Sequence, residues 1–154
     1  MIIYVRDLTN DIDYEVELPV DDIQDFLDEN NIEEYIITGA DGYSFNENES
    51  LDTINEFAQV IEDENLDDEI ASTIRDNYYK LQEAIDVINN QNYMVYYDCK
   101  DMGDVAYQLL EETGGLSELP DWAQNYFDYD AYGRDLKLEG TFLEFSDGYI
   151  EIIN

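Results

Sequence analysis

Residue types able to support catalysis or metal binding are few in this chain, and their spacing is poor. The nearest match to a calcium-binding loop starts at Asp128, with Asp130, Gly133 and Glu139 following at loop-like spacing. A hard cation also needs oxygen ligands between these points, but Tyr132 stands where a carboxylate belongs and Arg134 and Lys137 add positive charge, so the pattern does not describe a calcium site. Carboxylate pairs suited to acid and base roles on a glycosidic bond recur throughout, yet 40 Asp and Glu supply such pairs by abundance alone. The chain has no His, which removes the usual general base, proton shuttle and commonest metal ligand. The single Cys99, between Asp98 and Lys100, forms no intrachain disulfide; it reads either as a reactive thiol or as a small packed side chain. No catalytic set, cofactor or metal site is expected.

What the chain holds in excess is negative charge. Against 40 acidic residues stand 6 Lys and Arg, for a net charge of -34 in 154 residues, yet 44% of the chain is hydrophobic and 14% aromatic. Disordered acidic tails lack the apolar residues needed to offset chain entropy, whereas the Tyr, Ile and Leu here can build cores. The charge therefore belongs to a folded surface. Residues 7–74 contain 23 carboxylates and no Lys or Arg, opening with Asp11, Asp13, Glu15 and Glu17.

Size scaling gives a compact chain of this mass roughly 8,000 Å² of surface, or about 240 Å² per net charge. B-form DNA, with one phosphate per ~1.7 Å of axis, carries one charge per ~100 Å². An acidic protein matches a duplex only through shape or through one favoured face. General solubility explains part of the excess, and salt adaptation is a second reading, although a salt-adapted surface needs no sequence motif. With no phosphate-binding glycine loop and only scattered cations, the chain offers nucleic acid no basic docking surface; it is better suited to replacing nucleic acid than to binding it. No apolar run approaches the ~20 residues of a membrane span, and Met1 to Arg6 runs straight into a strand pattern with no basic region and cleavage site, so a reduced cytoplasmic setting is expected.

The elements that carry this charge follow from periodicity. Residues 2–8 and 13–18 alternate as a hairpin closed by Pro19, a helix is expected over 20–30 from Ile23, Phe26 and Leu27, and 35–45 reads as a strand and turn. Ser50 is placed to cap a helix through Ile61, and the spacing of Ile70, Ile74, Tyr78, Leu81, Ile85 and Ile88 predicts a second helix over 67–89. Residues 93–97 form a strand, 101–113 a helix stopped by Gly114-Gly115, and Pro120 to Phe127 a short helix; residues 141–145 and 149–153 close the chain as a hairpin. The expected class is α+β in three small modules: 1–49 with sheet and helix, 50–92 helical, and 93–154 with sheet and short helices.

The third module also carries a recognisable pattern. Leu109-Leu110-Glu111-Glu112-Thr113-Gly114-Gly115-Leu116, then Leu119-Pro120, then the run from Tyr126 through Tyr129-Asp130-Ala131-Tyr132-Gly133-Arg134-Asp135-Leu136 and Leu138-Glu139-Gly140-Thr141-Phe142 resemble the ArdA family of antirestriction proteins. The likeness is strong from about residue 93 and weaker before it. It implies an elongated, non-enzymatic homodimer, associated with mobile genetic elements, that imitates bent B-form DNA and occupies a type I restriction-modification enzyme at its methyltransferase core and specificity subunit. It also identifies Leu110, Glu111, Glu112, Thr113 and Gly114 with the family's antirestriction motif.

Candidate mimicking carboxylates are Asp21, Asp22, Asp25, Asp28 and Glu29 in the first helix region, Glu62, Asp63, Glu64, Asp67, Asp68 and Glu69 at the middle junction, and Asp101, Asp104, Glu111, Glu112, Glu118 and Asp121 in the third module. The middle junction reads equally as a solvated link between helices. Tyr126, Phe127, Tyr129, Tyr132 and Leu136 are too apolar for a solvated loop and belong to the module core or to a two-fold contact. Arg134 is expected to order its turn by pairing with Asp128, Asp130 and Asp135, and Gly133 to supply a backbone angle that a side chain resists. Two rival readings stand beside the first: a DNA mimic aimed at a CRISPR nuclease or nucleoid protein, and an acidic adaptor or chaperone of basic proteins.

Overall fold

Alternation of buried and exposed residues along the first strands sets the start of the chain. In the computed structural model, which describes residues 1–154, Ile3 and Val5 of β1 (Ile2–Asp7) are fully buried and Val16 of β2 (Ile12–Glu17) nearly so. The strands pair antiparallel with Ile3 opposite Val16, and β3 (Tyr35–Ala40) joins the other edge of β1 to give the order β2-β1-β3. Seven helices and two such three-stranded antiparallel sheets make the chain α+β, as expected. It divides into two compact units, Met1–Asn90 and Gln91–Asn154.

In the first unit, α1 (Ile23–Glu29) and α2 (Leu51–Asp63) pack together, and α2 also packs on α4 (Leu81–Asn89). The apolar stripe of α2, Leu51, Ile54, Phe57, Ala58 and Ile61, is buried as its period requires. Ser50 occupies the N-cap position but its side chain makes no capping bond; the Leu51 N–H instead donates to the Tyr35 hydroxyl at 3.0 Å.

The helix expected over 67–89 is two helices, α3 (Asp68–Asp76) and α4. The buried Arg75 donates from Nη1 to the Tyr78 carbonyl at 2.9 Å, and Lys80 is extended before Leu81 starts the next helix. Ile74 and Leu81 are both buried and stand seven residues apart, about two helical turns, so the apolar phase survives the break and periodicity alone cannot detect it.

In the second unit the chain runs β4 (Tyr93–Tyr97), α5 (Met102–Thr113), α6 (Asp121–Gln124), α7 (Tyr129–Glu139), β5 (Thr141–Phe145) and β6 (Gly148–Ile152). The last strand is central: Ile150 lies opposite both Val95 and Leu143, in the order β4-β6-β5. Tyr96, Cys99, Met102, Val105 and Tyr149 form a buried cluster against which Leu109, Leu136 and Phe142 pack. α6 is one turn, shorter than the helix expected to reach Phe127.

α7 is where sequence reading fell short, since the stretch tested as a metal loop is a helix. Its start is legible in retrospect: Asp128 caps it, accepting the Ala131 N–H at 2.9 Å, and Tyr132 and Leu136 share a face one turn apart. Gly133 lies inside this helix and supplies no unusual backbone angle. It permits close approach instead, because a Cβ there would collide with the Met102 carbonyl and stand 2.8 Å from the Gly103 nitrogen at the start of α5.

Candidate functional site

Every Asp and Glu side chain belongs to an exposed residue except the buried Asp7 and the half-buried Glu49, Glu64, Asp104 and Glu151. Burying an ionised carboxylate without partners is costly, so so many charges can only face water. Asp7 illustrates the exception. Its carboxylate accepts the Thr9 N–H and the Asn10 side-chain N–H, each at 2.8 Å; burial alone would raise its pKa, and these bonds outweigh that effect and hold it below the usual value.

Cations do little to neutralise this surface. Arg6 pairs with Asp11 and, at 3.2 Å, with Asp13, while Arg75 is buried beside the face of Phe45, 5.8 Å from the ring centre. Arg134 forms no ion pair, contrary to expectation; it lines an open cleft with Asp101, Asp128, Asp130 and Lys137, and the Asp128 cap orders the turn in its place.

The proposed mimicking residues divide by local role. Asp22, Asp67 and Asp101 are N-caps: Asp22 accepts the Gln24 N–H at 2.8 Å, Asp67 the Glu69 N–H at 2.9 Å and Asp101 the Asp104 N–H at 3.0 Å. Helix starts carry partial positive charge, so these carboxylates stabilise the fold while staying exposed. Asp25, Asp68, Glu69, Asp104 and Asp121 lie in first turns. Asp28 and Asp63 take bonds from Gln24 and Gln59 one turn back, and Asp68 accepts the Tyr43 hydroxyl at 2.6 Å. Asp21, Glu29, Glu62 and Glu118 are exposed, and Glu64 is the half-buried C-cap of α2.

The segment Leu110–Gly114 is the end of α5. Gly114 adopts a left-handed conformation at φ 64°, natural for glycine, and the Gly115 N–H returns to the Leu110 carbonyl at 3.0 Å, closing the helix. Thr113 donates its hydroxyl to the Leu109 carbonyl at 2.7 Å, leaving Glu111 and Glu112 exposed on the last turn. One turn back Gln108 donates to the Tyr97 carbonyl and two turns back Asp104 accepts the Lys100 N–H, so this face also ties α5 to the end of β4.

The aromatic set is heterogeneous. Phe127 contacts the rings of Tyr129 and Tyr132 with centres 5.0 and 5.9 Å apart, Tyr129 meets Tyr107, and Leu136 packs on the buried cluster. Tyr126 is 83% exposed, and Trp122 (70%) and Leu138 (85%), which were not singled out, are exposed in the same unit. Cys99 resolves as a packed side chain: its thiol donates to the Tyr97 carbonyl, and burial followed by the charges of Asp104, Asp98 and Asp101 pushes its pKa up, away from nucleophile chemistry. No group of acidic, Cys or His side chains is arranged to hold a metal, and no helix is long and apolar enough to cross a membrane.

The fold is α+β and its one pervasive surface feature is unneutralised carboxylate. Comparison with protein families makes the class specific. The family model described as antirestriction protein (ArdA) matches residues 6–151, nearly the whole chain, and the chain belongs to the ArdA antirestriction family. No curated protein matches it.

Proposed function

We propose that this antirestriction protein acts as a DNA mimic, occupying the DNA-binding groove of a type I restriction-modification enzyme at its methyltransferase core and specificity subunit. The observation that carries this reading is the near-complete exposure of the carboxylates with Arg75 withdrawn from the surface and Arg6 already paired. Enzymes of this kind draw much of their DNA affinity from Lys and Arg meeting phosphates, and carboxylates at comparable spacing can fill the same groove. The modules 1–49, 50–92 and 93–154 each contribute carboxylates to the imitation.

Inhibition is then competitive with DNA, and the deciding experiment is displacement of a DNA duplex from a purified type I methyltransferase core. Displacement that weakens from low to moderate salt agrees with the reading; failure to displace DNA, or affinity indifferent to salt, refutes it. Exposed Trp122, Tyr126 and Leu138 favour a homodimer formed through the second unit, since apolar side chains are the part of this surface on which two polyanions can meet.

A further inference from the structure

Carboxylates cover both units and by themselves single out no place on the molecule. A cavity with apolar walls does. In the first unit an open cavity of about 440 Å³ is walled by Leu18, Pro19, Ala58, Ile61 and Tyr43, and its rim carries Glu17, Glu62 and Asp68. The walls are fixed: Leu18, Ala58 and Ile61 are buried core residues, and Tyr43 stands edge-on to Phe57 with ring centres 5.7 Å apart while donating its hydroxyl to Asp68. Ala58, Ile61 and Glu62 fall three and four residues apart on α2, which places wall and rim on one helix face. The Met1 ammonium also borders the cavity, but it donates to the Leu18 carbonyl at 3.0 Å, and three carboxylates leave the rim net negative.

We propose that this cavity receives an arginine side chain of the inhibited enzyme, its stem along Leu18, Pro19, Ala58 and Ile61 and its guanidinium against Glu17, Glu62 and Asp68. The proposal rests on the mimic reading and extends it, because a phosphate backbone offers a cation charge but no apolar wall. Long cationic side chains bury their stems on apolar surface and keep the charged head among polar groups. Arginine fits better than lysine, since its flat, weakly hydrated head stacks on an aromatic face and spans two carboxylates.

The first test needs no enzyme. The full chain, methyl-labelled, is titrated at constant ionic strength with n-propylguanidinium, n-propylammonium and spermidine. The expected result is a saturable shift of the Leu18, Ala58 and Ile61 methyls with the guanidinium, weaker with the ammonium, and absent in Glu17→Gln/Glu62→Gln. Both glutamates are exposed, and unchanged methyl spectra away from the cavity establish that the variant is folded. Shifts spread over methyls near any carboxylate, or an equal response to spermidine, overturn the site. The second test is DNA displacement from the methyltransferase core. Glu17→Gln/Glu62→Gln weakens it about tenfold, whereas Glu33→Gln/Glu34→Gln, the same charge loss outside the cavity, costs about twofold at most. Equal losses from the two pairs overturn the cavity and leave the mimic reading standing. A full chain that displaces no DNA overturns the mimic reading, and this proposal with it, whatever the guanidinium does.

Discussion

Replacing Gly133 by alanine sets two effects of opposite sign against each other. Alanine is the better helix former by about 0.8–1 kcal/mol, and Gly133 lies well inside α7, so propensity alone makes Gly133→Ala stabilising. Packing argues the reverse. The new methyl would collide with the Met102 carbonyl and lie 2.8 Å from the Gly103 nitrogen, where ordinary contacts start near 3.4 Å. Both obstacles are backbone at the start of α5, so no side chain can rotate aside; α7 must withdraw and loosen the seat of Leu136 on the buried cluster. Overpacking of this kind costs about 1–3 kcal/mol, about 2 at mid-range, which leaves a net destabilisation of about 1 kcal/mol after the propensity gain. Urea unfolding followed by circular dichroism should show the midpoint of the second unit's transition lowered by about 0.5–1 M. Asp135→Ala, at an exposed site on the same helix, supplies the propensity gain without the collision and should leave the midpoint unchanged or slightly raised. A Gly133→Ala protein as stable as the parent would refute the close-approach argument.

Asp67→Ala removes an N-cap and should destabilise the first unit by about 1 kcal/mol, whereas Asp67→Asn keeps the cap and should change stability by a few tenths; the two remove the same charge, so urea unfolding and DNA displacement together separate fold from function. Asp7 has a pKa lowered in the folded state, so it contributes stability above the unfolded carboxyl pKa that is lost as pH falls through the folded value. Comparing unfolding at pH 7 and pH 3, Asp7→Asn should show less acid loss than the parent, the relief of repulsion among the other carboxylates being common to both. Trp122→Glu or Tyr126→Glu should give a monomer with the second unit still folded, as read by sedimentation; a persistent dimer refutes the proposed contact. These exposed sites are cleaner tests than Tyr129 or Tyr132, whose rings already pack against Phe127.

Legibility followed the kind of signal each element sends. The hairpin of β1 and β2, the stripe of α2 and the Gly114 stop are local patterns, and their elements lie where the sequence places them. The break between α3 and α4 was hidden because Ile74 and Leu81 keep one phase across it. Tyr35 replacing Ser50 as the partner at the start of α2 is a tertiary hydrogen bond between distant residues, invisible to any window. Gly133 was noticed for the wrong reason: sequence shows that a side chain is missing, and only the approach of α5 shows why. For the site, composition revealed that the surface is acidic but could not reveal the walled cavity, since Glu17, Ala58 and Asp68 come together from three separate elements and Tyr43 from the loop after β3.

How a chain with a net charge of -34 folds at all is answered by where its carboxylates stand. Asp22, Asp67, Asp101 and Asp128 cap helices, and several more occupy first turns, where the partial positive charge of the unpaired N–H groups offsets part of the mutual repulsion. Each capping aspartate is an exposed residue, so the same side chain holds a helix and contributes to the surface field. Two of the six cations are placed for the fold: Arg75 ties the end of α3 to the turn at Tyr78, and Arg6 clamps the hairpin at Asp11 and Asp13. It follows that Asp→Ala removes charge without weakening a helix start only at carboxylates outside the caps. A cluster neutralised by Asp→Ala at the caps loses helices along with charge, and its loss of inhibition says nothing about mimicry. The same cluster changed to Asn retains the helices and reports the field alone.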